Sequence, residues 1–159
     1  MARRGREPSP LQQEAARGYA LRALGRREHS ARELEHKLAR AGLDETAADE
    51  VVQELGVAGW QSDARYAGLL VRSRIGQGYG PLRISAELSS RGVDAALIHS
   101  ALAEAEPDWS SVIRKVYERR YDAAPESTKE RASRYRFLAA RGFTSDQIRG
   151  VMQGLPEDD

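Results

Sequence analysis

Three stretches of this chain, 30–55, 80–105 and 130–155, align on one another without a gap at a spacing of 50 residues. Leu38, Leu88 and Leu138 correspond, as do Gly42, Gly92 and Gly142. An apolar residue follows each glycine (Leu43, Val93, Phe143), and then comes Asp44, Asp94 or Thr144. This register has a physical meaning. A helix ends, and glycine sits just past it, where the backbone needs a positive φ that other residues adopt only with strain. The Asp or Thr then offers a side-chain oxygen to the unpaired N–H groups of the next helix. Each stretch therefore reads as helix, tight turn, helix. Ser30 with Glu33, Ser127 with Glu130, and Thr144 with Gln147 have the spacing of a capping box.

A further helix precedes each pair. Residues 11–27, 62–75 and 108–121 carry apolar side chains near a 3.6-residue period, and no stretch alternates as a strand does. The predicted fold is all-α, with three tandem three-helix repeats that are helix-turn-helix-like and stacked into an elongated, curved array. The expected modules are 11–57, 58–106 and 107–155, with a disordered basic arm over 1–10 and an acidic tail over 156–159. Leu34 and Ile84 correspond to Arg134, so the third module has to fill that core position differently, with Tyr135 the nearest candidate. Trp60 and Trp109 each stand before an expected cap, Ser62 and Ser110, and are predicted to staple the modules together.

Chemistry has few places to reside. The chain has no Cys, which removes disulfides and thiolate catalysis and fits a reducing cytoplasm. His29, Glu33 and His36 fall near one helix face, but a carboxylate-bridged metal site needs two Glu-x-x-His pairs and only one is present. Gly76-Gln77-Gly78-Tyr79-Gly80 lacks the preceding strand and the following Gly-Lys of a phosphate loop, so it reads as a flexible connector. Pro81 suits the first position of the helix that follows. No nucleophile elbow, metalloprotease motif or kinase signature occurs. The sequence predicts a protein that is not an enzyme and needs no cofactor or metal. No apolar run approaches the length of a membrane-spanning helix.

Charge is informative through its distribution. The net charge is +1, yet residues 1–40 hold 10 basic and 5 acidic side chains, 41–60 hold 5 acidic and none basic, and 110–149 hold 10 basic and 5 acidic. Two clusters stand out: Arg22, Arg26 and Arg27 at the end of the first helix, and Arg114, Lys115, Arg119 and Arg120 in the seventh. With Arg72 and Arg74 of the fourth helix they are the candidate contacts to an anionic partner, and Arg3, Arg4 and Arg6 extend the first cluster. The third helix of each module is a poor reader of DNA. The first, from Asp44 to Leu55, has five acids and no base, and phosphates would repel it.

The run from Tyr19 to Leu24, with Arg26-Arg27-Glu28-His29-Ser30 and Glu33-Leu34-Lys37-Leu38, resembles the start of RecX proteins. Asp63-Ala64-Arg65-Tyr66-Ala67, Gly80-Pro81 with Ile84, and Phe137-Leu138-Ala139-Ala140-Arg141-Gly142-Phe143 extend the resemblance over about residues 11–155. The resemblance implies a bacterial protein of tandem three-helix repeats. It would bind the RecA recombinase filament on DNA and restrain its ATP hydrolysis, strand exchange and coprotease activity, acting as a monomer in the cytoplasm. Catalytic residues are not implied. Weak, sequence-independent contact with DNA stays open, as do two alternatives: a helical scaffold for a different protein, and a DNA-binding module acting alone.

Overall fold

A computed structural model describes residues 9–153. The expected arm residues 1–8, with Arg3, Arg4 and Arg6, and the expected tail 156–159 lie outside the described residues. The described chain is all-α, with nine helices and no strand. They are α1 (Pro10–Arg26), α2 (Ala31–Arg40), α3 (Glu45–Val57), α4 (Asp63–Gly76), α5 (Pro81–Ser90), α6 (Ala95–Ala105), α7 (Trp109–Arg120), α8 (Thr128–Ala140) and α9 (Ser145–Gln153). Two compact units form. Among the described residues, one gathers 9–67 with 91–97, and the other gathers 68–90 with 98–153.

The first unit is built on α1, α2 and α3. Ala16, Ala20 and Ala23 line the inner face of α1, and small side chains there let Leu34, Leu38, Val51, Val52 and Leu55 pack close. Ser9 and Gln12 form a capping box, and Pro10 opens the helix. One core cluster of the second unit is Ile113, Tyr117, Leu138, Phe143, Ile148 and Val151, from α7, α8, α9 and the turn between the last two. Arg134 takes the position that Leu34 and Ile84 hold elsewhere. It is half-buried, and its guanidinium lies 4.3 Å from the Tyr121 ring centre. It donates to the Tyr117 hydroxyl and to the Ala123 carbonyl, both at 2.8 Å. Tyr135 packs beside that core and bonds the Ser145 hydroxyl at 2.7 Å. An arginine stacked on tyrosines thus stands in for an aliphatic residue.

The glycine turns share one geometry. Gly42, Gly92 and Gly142 have φ of 84°, 81° and 96°. Their surroundings differ. In the first unit, the Arg91-Gly92 turn sits on the start of α2: Ser30 Oγ donates to the Arg91 carbonyl at 2.8 Å, and Arg91 reaches Glu33 at 3.3 Å. In the second unit, the Arg141-Gly142 turn sits on the start of α5: the Gly80 N–H donates to the Arg141 carbonyl at 2.8 Å, and the Leu82 N–H to the Gly142 carbonyl at 2.9 Å. Residues 30 and 80, and 91 and 141, are 50 apart, so one seat is used twice. A Cβ on Gly142 would collide with Arg83, one on Gly80 with the Gly142 backbone, and one on Gly92 would come within 2.7 Å of Arg32 Nε. A Cβ on Gly42 would meet nothing within 4 Å among the described residues, and Ala41 stands where the other turns have Arg.

Several local expectations change. The 76–80 segment joins α4 to α5, but it is not a loose connector. Arg141 donates to the carbonyls of Gln77 at 2.7 Å and Gly78 at 3.2 Å, and its guanidinium stacks 4.4 Å from the Tyr79 ring centre. Trp60 is 63% exposed and staples nothing. Gly59, at φ 83°, ends α3, and the Trp60 N–H closes that end on the Leu55 carbonyl at 2.9 Å. Asp108, not Ser110, caps α7, accepting from the Ser111 N–H, and Trp109 is its first residue. The Ser127 box is half made, because the Glu130 carboxylate accepts from the Glu126 N–H and not from Ser127.

Replacing any of the three turn glycines with Ala introduces the left-handed strain of about 1–2 kcal/mol. Gly92→Ala and Gly142→Ala add a steric clash, so both should lower the urea midpoint more than Gly42→Ala. Equal losses at all three positions would mean that the turns are not seated.

Candidate functional site

The sequence-predicted basic residues fall in different settings. Arg22 and Arg26 are exposed on α1. Arg27 follows that helix, and its guanidinium holds Glu33 at 2.8 Å and the Glu28 carbonyl at 2.9 Å. Arg72 is exposed on α4, whereas Arg74 is half-buried and grips Glu87 through two hydrogen bonds of 2.8 and 2.6 Å. Arg27 and Arg74 are therefore engaged in ion pairs within the chain. Arg114 is exposed on α7 and lies apart from the concave surface formed by its neighbours.

That surface is the candidate site. Lys115, Arg119 and Arg120 of α7, together with Arg141, line a groove of about 460 Å³. Val112, Val116 and Phe137 supply apolar walls, and the Gly76–Gly78 backbone supplies one edge. Among the described residues no carboxylate lines it. Helical spacing explains the convergence: 112, 115, 116 and 119 recur at three and four residues, so they share one face of α7. Arg120 is held by stacking 4.3 Å from the Phe137 ring centre, and Arg141 by the 77–78 carbonyls and Tyr79. Two cations are thus fixed in place, while Lys115 and Arg119 are exposed. A concave surface with one sign of charge focuses its field on an anionic partner. Sequence reading overlooked Arg141 and Phe137 as site residues. The signal was the Arg-Gly pair at 91–92 and 141–142, replaced by Ala-Gly at 41–42.

The His29, Glu33 and His36 set does not converge as ligands. Glu33 takes hydrogen bonds from Arg27, Arg91, the Ser30 N–H and the Tyr66 hydroxyl. Burial would raise its pKa, but those hydrogen bonds outweigh burial and hold it below the ordinary carboxylate value. Tyr66 is pushed up to about 12, by burial and then by its bond to Glu33. His29 is buried, and Nδ1 lies 2.9 Å from the Arg27 carbonyl. Burial lowers its pKa, against that hydrogen bond. His36 is exposed. Among the described residues no group of three or more His, Asp or Glu is placed to hold a metal, and no helix is long and apolar enough to cross a membrane.

The described residues thus form a helical repeat protein with seated glycine turns and a basic groove. The family follows from the comparisons: the chain belongs to the RecX family. Residues 16–55, 62–102 and 108–152 match that family's first, second and third three-helix domains. The protein called regulatory protein RecX in Halorhodospira halophila is 44% identical over 147 residues, covering 92% of this chain and 91% of that one. The protein of that name in Stenotrophomonas maltophilia strain K279a is 41% identical over 157 residues, covering 98% and 93%. The crystal structure of RecX from Lactobacillus salivarius shares the fold, with a TM-score of 0.75 at 21% identity, over 91% of this chain and 97% of that one. A second crystal structure of a regulatory protein RecX gives 0.74 at 23% identity, over 89% and 72%.

Protonation should weaken this structure. The unfolded chain takes up the His29 proton below about pH 6.5, while the folded chain resists it, so stability falls as pH drops through that range. Glu33 acts in the same direction below about pH 4.5, where the unfolded carboxylate protonates first. Urea midpoints measured from pH 7.5 downward should decrease, and His29→Gln should flatten the upper part of the decline. A midpoint that rises on acidification would contradict both assignments.

Proposed function

We propose that this chain is a non-enzymatic regulator that binds the RecA–DNA filament and inhibits its ATPase, strand-exchange and coprotease activities. Membership of a family whose relatives carry the name regulatory protein supports the general reading. The α7 groove is the observation that carries the finer one. A nucleoprotein filament offers phosphates and acidic side chains together, and Lys115, Arg119, Arg120 and Arg141 line one concave surface with no carboxylate among its described lining residues. Arg22, Arg26 and Arg72 offer further contacts, and phosphate contacts from such exposed cations are weak and sequence-independent. The three modules, taken as 11–57, 58–106 and 107–155, present these surfaces on one chain acting as a monomer in the cytoplasm. Once one surface is bound, the others bind at high effective concentration. Charge pairing at exposed sites mainly raises the association rate and selects the partner surface.

Addition of this chain to RecA on single-stranded DNA should slow ATP hydrolysis, with an effect that weakens as salt rises. Lys115→Glu with Arg119→Glu should raise the concentration needed for half-inhibition about tenfold, corresponding to roughly 1.4 kcal/mol. Arg22→Glu with Arg26→Glu should shift it in the same direction, with helicity unchanged. Parent-like inhibition by both variants would place the contact elsewhere, and absence of inhibition by the parent would refute the reading.

A further inference from the structure

A second concave surface lies apart from the α7 groove. We propose that the groove between α8 and α9 docks an acidic peptide segment, carrying one apolar side chain, from a partner protein. Its volume is about 500 Å³. The floor is Ala132, Tyr135 and Met152, and the rim carries Arg131 and Arg136 of α8 and Arg149 of α9. Tyr135 and Met152 also pack on the core beneath, and the Tyr135 hydroxyl is tied to Ser145 at 2.7 Å, so the floor is fixed. All three arginines are exposed. Among the described residues no carboxylate lines the groove; Asp146 reaches its edge only through its ion pair with Arg149.

The composition of the groove selects its occupant. Arg131 and Arg136, with Arg149 shared with Asp146, around a small apolar floor match carboxylates flanking an apolar residue, because the fork of arginine pairs with carboxylate while the apolar side chain covers Met152 and Ala132. A nucleic-acid strand would satisfy the arginines and leave that floor facing water. It would also need an open aromatic face, and Tyr135, the only ring in the lining among the described residues, is half-buried against the core. This inference goes beyond the proposed filament contact, and it stands or falls independently of RecA inhibition.

The test is fluorescence anisotropy on the full chain at physiological salt, with fluorescein-labelled Gly-Asp-Glu-Leu-Glu-Asp-Gly. The same peptide with Gly in place of Leu, and a labelled ten-residue thymidine oligonucleotide, serve as comparisons. The acidic peptide should bind, and both the Leu-to-Gly peptide and the Arg131→Glu, Arg136→Glu chain should weaken binding at least tenfold. Lys115→Glu with Arg119→Glu should leave binding within about twofold. Circular dichroism checks each variant, and Arg131→Gln with Arg136→Gln replaces the reversal if that chain does not fold. The proposal is overturned if the peptide does not bind, if the Arg131 and Arg136 variants bind it as the parent does, or if only the oligonucleotide depends on those arginines. It is also overturned if binding appears only after residues 154–159 are deleted. Leu155, Glu157, Asp158 and Asp159 carry the same chemistry, and the chain itself would then be the occupant.

Discussion

The end of one helix meeting the start of another is the contact on which the repeat depends. A helix leaves its last carbonyls and first N–H groups without internal partners. At the α8 turn the carbonyls of Arg141 and Gly142 are satisfied by the N–H groups of Gly80 and Leu82, which flank Pro81, the one residue there with no N–H to give. The ends also oppose their dipoles favourably, since the negative end of α8 faces the positive end of α5. Such an approach leaves no room for side chains, so glycine is required on both sides, at 80 and at 142. At Arg91 and Ser30 the same seat is made differently. A serine hydroxyl reaches the carbonyl, and Asp63 takes the first α2 N–H at 2.9 Å.

The exceptions at the two ends of the repeat follow from the same physics. The first turn has Ala41 in place of arginine, and a Cβ on Gly42 would meet no described residue within 4 Å. In the third module α8 begins at Thr128, so residue 130, the counterpart of Ser30 and Gly80, lies inside the helix, with its N–H taken by the Ser127 hydroxyl. A further turn has no equivalent seat there. The seat also reaches the candidate site. Arg141 anchors the turn to the 77–78 carbonyls and lines the groove with Lys115 and Arg119, so the geometry of the basic surface is set by module packing.

Local chemistry was legible in the sequence, and long-range chemistry was not. A glycine after a leucine-bearing stretch and before Asp or Thr specifies a helix–turn–helix within a dozen residues, and Asp44, Asp94 and Thr144 do cap the helices that follow. The α7 cations were legible because a helix repeats every 3.6 residues. The 76–80 segment was misread as loose, because the arginine that ties it stands more than sixty residues away. Trp60 was misread because an apolar residue before a cap usually packs inward, whereas here the backbone ending of α3 fixes its place and leaves the ring exposed. Glu33, in a lone Glu-x-x-His pair that the sequence set aside as a metal site, has its carboxylate occupied by two arginines, one of them 58 residues on. Arg134 looked like a gap in the core, and the tyrosines of α7 and its end made it a filler.

Native-state hydrogen exchange of the Gly80 and Leu82 amides tests the seat most directly. They lie at the start of α5, where backbone N–H groups ordinarily face water and exchange freely. Bonded to the carbonyls of Arg141 and Gly142, they should exchange as slowly as amides in the middle of α8. Exchange near the rate of an unstructured chain would contradict the account, because the turn would then not be seated and the groove would lose its anchor at Arg141.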